Sequence, residues 1–188
     1  MRVLTDPALR GASLDAYLAV AGAGLRAALR DPAAIIPAIE AAGLRGLGGA
    51  GFPAHRKWAA VAAAPGPGRW IIANGNEDEP GTFKDRFLLA ETPHQVIEGA
   101  LVAAVAVRAA QVALYVNPRE PATVAGLRDA AAQWAAHPLL AEVSAAVGEA
   151  VTLRVVESSG LYIGGEETAA VASVQGGFPF PSLKPPFP

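Results

Sequence analysis

The chain has 188 residues and a mass of 19.1 kDa, enough for one domain, or one domain with a small appendage, to bury a core without covalent staples. Fifteen Lys and Arg against seventeen Asp and Glu leave a net charge of −2 and a pI near 5.9, so there is no basic excess to attract nucleic acid or anionic lipid. Cysteine is absent, which excludes disulfides, thiolate zinc sites, cysteine nucleophiles and thiolate-held iron–sulfur clusters within these residues.

In chain order, Ser13 precedes Leu14, Leu18, Ala21, Leu25 and Leu29, whose spacing predicts one amphipathic helix over 13–30 despite Gly22 and Gly24. Asp31-Pro32 restarts the chain as a cap followed by a first-turn proline, predicting a second helix to about Ala42 with Gly43 as its stop and a bend at Pro37. A glycine-rich segment and a short helix over 57–64 follow. The turn Pro65-Gly66-Pro67-Gly68 then leads into a short buried strand over 69–74. A helix over 93–110, a strand over 111–116, helices over 119–135 and 138–147, a strand over 151–156 and a last helix beginning near Glu166 complete the order.

This alternation predicts an α/β fold: a Rossmann-like α/β/α sandwich with a mainly parallel sheet, behind an N-terminal helical cap. The expected division is a cap with a glycine-rich loop over 1–64, an α/β domain over 65–177 and a proline-rich tail over 178–188. That tail holds five of the sixteen prolines in eleven residues, as an extended surface segment or linker.

The 43 alanines, and twelve arginines against three lysines, read as the codon bias of a GC-rich genome. Mean hydropathy is +0.31, yet the most apolar stretch, 99–107, is nine residues long and is closed by Arg108, whereas a membrane span takes about 20. Direct membrane insertion is therefore not expected. Charges at the N-terminus stand where a signal peptide needs its apolar stretch. The expected location is the cytoplasm, free or at the periphery of a membrane complex.

Three segments can carry chemistry. Residues 46–51, Gly-Leu-Gly-Gly-Ala-Gly, satisfy GxGxxG, in which absent side chains let backbone N–H groups approach a phosphate. The dinucleotide fingerprint needs a strand just before it, and here a helix precedes, so the ordinary Rossmann reading fails and a plain glycine turn is an equal alternative. Just beyond, Lys57 offers a cation for a phosphate and Trp58 a core side chain.

The second segment, 74–86, begins where a strand ends, at the edge of a parallel sheet that receives ligands in open α/β folds. Asn74 and Asn76 offer donors and acceptors, and Glu77 and Glu79 offer acceptors for hydroxyls and amides. A solvated acidic turn is the competing reading. In the third segment, 161–168, Gly164 and Gly165 lead into a helix whose first turn carries Glu166 and Glu167, which also suits a purely capping role. His55, His94 and His137 are scattered without ligand spacing, so no metal site is expected, and no Ser-His-Asp set with a nucleophile elbow is present.

Taken in order, GLRGLGGAGFPAHRKW (43–58), NGNEDEPGTFKDR (74–86), PHQVIEGALVAA (93–104) and YIGGEETAAVASVQG with LKPPFP (162–176 and 183–188) closely resemble one family. It is the FMN- and NADH-binding 51 kDa flavoprotein subunit of respiratory complex I, with the diaphorase subunits of NAD-linked hydrogenases and formate dehydrogenases. The resemblance implies an FMN-dependent NADH dehydrogenase that takes hydride from NADH onto FMN and passes electrons to an iron–sulfur or quinone-linked partner.

By match, Gly46, Gly48, Lys57, Asn74, Asn76, Glu77, Tyr162, Gly165, Glu166 and Glu167 would hold FMN. Gly49, Ala50, Phe52 and Glu79 would face NADH. No side chain is expected to carry out the hydride transfer itself; Glu79 is the nearest candidate.

The family usually has Arg at Leu47, Asp at Asn76 and Cys at Gly164. It also continues beyond the last motif into an asparagine-pair segment, a ubiquitin-like domain and a cysteine-rich domain with a [4Fe–4S] cluster. The expected partner is therefore an iron–sulfur subunit or a separate chain carrying those parts. A short paralogue, a fragment and one half of a split subunit all fit. The alternative expectation is a catalytically impaired paralogue serving as a structural or assembly subunit of a redox complex.

Overall fold

The computed structural model describes residues 6–46, 50–66, 68–185 and 187. Its centre is a three-stranded parallel sheet, β1 (Trp70–Gly75), β2 (Gln111–Val116) and β3 (Thr152–Glu157), in the order β1-β2-β3. The register sets Ile71, Val112 and Leu153 in one row and Ala73, Leu114 and Val155 in another, all on one face. Against that face lie the crossover helices α6 (Pro93–Val107) and α7 (Pro121–Ala136), with α8 (Pro138–Val147) packed on both. Ile97, Leu101, Leu127, Trp134 and Val143 have no measurable exposure. Removing such side chains from water at roughly 25 cal/mol per Å² is the main force holding the layers together.

The opposite face carries Asn74 and Tyr115, and its mid-strand Ala113 is buried, with α9 (Glu167–Val174) lying against β1 and β2. At the edge of that face the Arg154 guanidinium lies over the Trp70 ring, 4.6 Å from its centroid. The expected α/β sandwich with a parallel sheet behind a helical cap is what the chain forms.

The cap departs from expectation in one place. Residues 13–30 make two helices, α1 (Leu14–Val20) and α2 (Ala23–Arg30), because Gly22 turns the backbone left-handed, at φ +81°. Glu98 of α6 decides this break: its carboxylate accepts the Leu25 backbone N–H at 2.8 Å and the Tyr17 hydroxyl. The orphan first turn of α2, which has no side-chain cap of its own, is thus capped from another element. Ser13 caps α1 by accepting the Ala16 N–H.

Asp31 caps a 3-10 turn over Pro32–Ala34 that runs on into α3 (Ile35–Ala41), so Pro37 falls in a first turn, where no intrahelical N–H bond is lost. The short helix predicted over 57–64 is α4 (Ala54–Ala63), which starts directly after Pro53. Strands and the later helices fall within about two residues of expectation, except that α6 stops at Val107, where Arg108 adopts φ +55°. One helix escapes the sequence reading altogether, α5 (Lys84–Glu91). Among the described residues, no helix is long and apolar enough to cross a membrane.

Candidate functional site at the carboxyl ends of the strands

All three strands end on the same side, and each hands over at once to a polar residue: Asn76 after β1, Asn117 after β2 and Ser158 after β3, each buried. The loops that follow are stitched to one another. Asn74 Nδ2 donates to the Gly165 carbonyl at 2.9 Å, and Asn74 Oδ1 accepts the Asn76 N–H at 3.1 Å. The Asn76 amide donates to Asp78 (3.2 Å) and to the Leu161 carbonyl (3.3 Å), while its oxygen accepts the Ser158 hydroxyl.

Two glycines lie where the loops approach closely. A Cβ on Gly165 would stand 3.2 Å from the Asn76 carbonyl, and one on Gly164 3.2 Å from both the Tyr115 and Ser159 hydroxyls. The Tyr115 hydroxyl is buried and has no hydrogen-bond partner among the described residues.

The acidic residues divide into two kinds. Glu77 turns inward: its side chain is 3 % exposed, and its carboxylate accepts the N–H groups of Asp85 and Arg86, both at 3.2 Å, which caps α5. Burial alone would raise its pKa, but those N–H groups and Lys84 outweigh burial and hold the carboxyl below its ordinary range.

Glu79 and Glu167 face outward. Glu79 accepts the Tyr162 hydroxyl at 2.8 Å, and that hydrogen bond and charge raise the phenol's pKa. Glu167 is held by Lys57 (3.2 Å) and Lys184 (2.5 Å), with Lys184 the larger influence in lowering its pKa. Glu166 caps α9 through the N–H groups of Thr168 and Ala169 and pairs with Lys184 at 2.8 Å. Burial opposes ionisation of Glu166, yet Lys184 and the cap bonds together bring its pKa down to about 2.

On the far side of this cluster the neck of the glycine-rich loop is closed by the Gly46 N–H on the Phe52 carbonyl at 2.9 Å. Lys57 Nζ stands 5.8 Å from the centre of the half-exposed Phe52 ring. Ala50 is exposed on this loop. Leu47, Gly48 and Gly49 lie outside the described residues.

The structure thus joins Asn74 to Asn76 and Gly165, and Glu79 to Tyr162, by hydrogen bonds, links Glu166 and Glu167 through Lys184 and Lys57, and sets Lys57 over Phe52. Four participants were missed: Asp78, Asn117, Arg119 and Lys184. The available signals were the polar residue after each strand and the rarity of lysine, of which there are three. Two surface hollows, one beside Gln133 and His137 and one beside Arg26 and Glu142, include none of these residues. Among the described residues no group of three His, Asp or Glu stands close enough to hold a metal ion.

A parallel sheet with its amides, carboxylates and lysines gathered at the strand ends makes this an α/β protein whose polar edge lies where open α/β folds receive ligands. Residues 39–188 match the family described as the Nuo51 FMN-binding domain, and the chain belongs to that family. It is 39 % identical to an NADH-quinone oxidoreductase subunit of Aquifex aeolicus over 178 residues, covering 94 % of this chain and 42 % of that protein. It is 37 % identical to the mitochondrial NADH dehydrogenase [ubiquinone] flavoprotein 1 of Dictyostelium discoideum, over 82 % of this chain and 33 % of that one. Its fold superposes on a solved NAD+-reducing [NiFe]-hydrogenase with a TM-score of 0.77 at 35 % identity, covering 95 % of this chain and 30 % of the other. The chain therefore spans less than half the length of these relatives.

Proposed function

We propose that the chain is an FMN-binding, NADH-oxidising module that works with a partner subunit. The observation that carries this reading is the convergence of Asn74, Asn76, Tyr162, Gly165 and Glu79 with the Lys57–Glu167–Lys184 charge cluster at one sheet edge, in a member of the FMN-binding family. The donor set fits a flat, phosphate-bearing cofactor. Gly165 lets its turn sit close against Asn76, Phe52 and Tyr162 present exposed apolar faces, and Lys57, half exposed, can reach a phosphate.

In this reading Gly46, Gly48, Lys57, Asn74, Asn76, Tyr162, Gly165, Glu166 and Glu167 hold FMN. Glu77 serves it indirectly, by fixing the loop after β1 on α5. Gly49, Ala50, Phe52 and Glu79 face the nicotinamide nucleotide. Bound FMN supplies the hydride acceptor. The chain's own residues orient rather than react: the Asn74 amide is locked between Gly165 and Asn76, and Glu79 is aimed by Tyr162. These 188 residues contain no thiolate to hold a cluster, so electrons leave to a group outside them, an iron–sulfur centre being the kind that fits.

Titration of the purified chain with FMN tests this. The expected result is quenching of flavin fluorescence with a Kd of about a micromolar or below, and bleaching of the visible flavin band by NADH without oxygen. Absence of binding at high micromolar FMN would sink the reading and leave the non-catalytic subunit as the better description. Binding without reduction by NADH would remove only the nicotinamide half.

A further inference from the structure

One carboxylate at the strand ends that is not a cofactor-facing candidate touches groups from more than one loop. Asp78 follows Asn76 by two residues, and its side chain is 3 % exposed. One of its oxygens accepts from Arg119 at 2.7 Å and from the Asn117 amide at 2.9 Å; the other accepts from the Asn76 amide at 3.2 Å. Arg119 also donates to the Gly160 carbonyl at 2.7 Å. One buried carboxylate therefore ties the loops after β1, β2 and β3 into a single unit.

We propose that Asp78, through Arg119 and Asn117, is the positioning residue of this edge, and that Asn76 and Asp78 are a matched pair in which only one member can be a carboxylate. The chemistry of the amide supports both parts. Asn76 must donate to Asp78 and to Leu161 while accepting from Ser158, a split that only a side chain with both donor and acceptor can make. A carboxylate at 76 would face the Asp78 oxygen and the Leu161 carbonyl with no proton to offer. Two like charges at that separation in a buried setting cannot both ionise without cost. The pair governs where Asn76 and the 161–165 turn stand, and so the shape of the floor that the proposed cofactor meets; this last step rests on the FMN reading above.

The test is a double-substitution cycle in the whole chain with Asn76→Asp, Asp78→Asn and both together. Urea unfolding reads the pairing, and FMN fluorescence quenching reads the floor. In the wild-type background D78N lowers the urea midpoint. In the N76D background the same change raises it, and FMN affinity, weakened about tenfold by N76D, recovers at least in part. The stability difference between N76D and the wild type also narrows as pH falls from 7 to 5, because one of the two carboxylates then takes up a proton; that between the double variant and the wild type does not.

A D78N change that lowers the midpoint equally in both backgrounds, or an N76D variant with wild-type stability and no such pH response, overturns the pair. Normal FMN affinity in an N76D variant that is nonetheless unstable overturns its positioning role. Wild-type protein that fails to bind FMN overturns the functional reading instead, and the urea cycle still decides the pair.

Discussion

At the scale of single residues, the site depends on the side chains it lacks as much as on those it has. Gly165 has an ordinary negative φ, so its identity is not a matter of backbone conformation; its Cα hydrogen faces the backbone carbonyl of Asn76. A carbonyl inside a strand-end turn cannot swing aside as a side-chain tip can. Gly165→Ala should therefore cost about 1–3 kcal/mol of stability by overpacking and loosen FMN binding, read by urea unfolding and fluorescence titration of the same sample. Glu98 shows the converse, a polar side chain that the interior cannot do without. It serves the Tyr17 hydroxyl and the Leu25 N–H, both buried, and Glu98→Ala would leave two donors unpaired at about 1–3 kcal/mol each. The measurable result is a lower urea midpoint, with faster amide exchange in α1 and α2.

Elements here owe their existence to residues outside themselves. The sequence of α5 has weak amphipathic character, and the segment reads as a polar loop. It becomes a helix because the Glu77 carboxylate, seven residues before its first turn, caps two of its N–H groups. Glu77→Ala should cost about 1–2 kcal/mol and raise amide exchange selectively across 84–91. Because the folded-state pKa of Glu77 is depressed, its contribution is fully present above the ordinary carboxylate range and is lost as pH falls through the folded value. The acid limb of the stability curve should accordingly be flatter in the variant.

His94 supplies a second pH response with a different window. Burial lowers its pKa, outweighing the Ala12 carbonyl that favours the charged form, so the neutral ring lies against Tyr17 between the cap and α6. The unfolded chain takes up a proton near pH 6.5 and the folded one only at lower pH. Stability should therefore fall as pH drops from about 7 to 5, and His94→Gln should remove that fall.

Across the whole molecule, one apolar core runs from Leu14 and Leu25 of the cap through α6 to Val112 and Leu114 of β2. The tail is fastened to the opposite end by polar groups: Ser182 N–H on Thr168 Oγ1 at 2.8 Å, and Lys184 between Glu166 and Glu167. With the Glu166 pKa near 2, this latch holds at neutral pH and is released only as pH falls from about 4.5 towards 2. Lys184→Met should release it at pH 7, giving faster proteolysis within 176–183 while the core's urea midpoint stays close to wild type.

How far the sequence reaches follows from where each determinant sits. Periodicity and strand-end punctuation within 93–157 place β2 and α8 at their observed bounds and the other elements within about two residues, the end of α6 excepted, because burial of one face is written into local spacing. The ordered motifs likewise suffice for the family, and they mark Asn74, Tyr162 and Gly165 before any contact is known. Tertiary structure alone decides the break at Gly22, the existence of α5, the inward turn of Glu77 and the junction of three loops on Asp78. Each of these is a hydrogen bond between groups far apart in the chain, or across a turn whose shape the fold sets, and a buried donor or acceptor takes whichever partner the fold brings within about 3 Å.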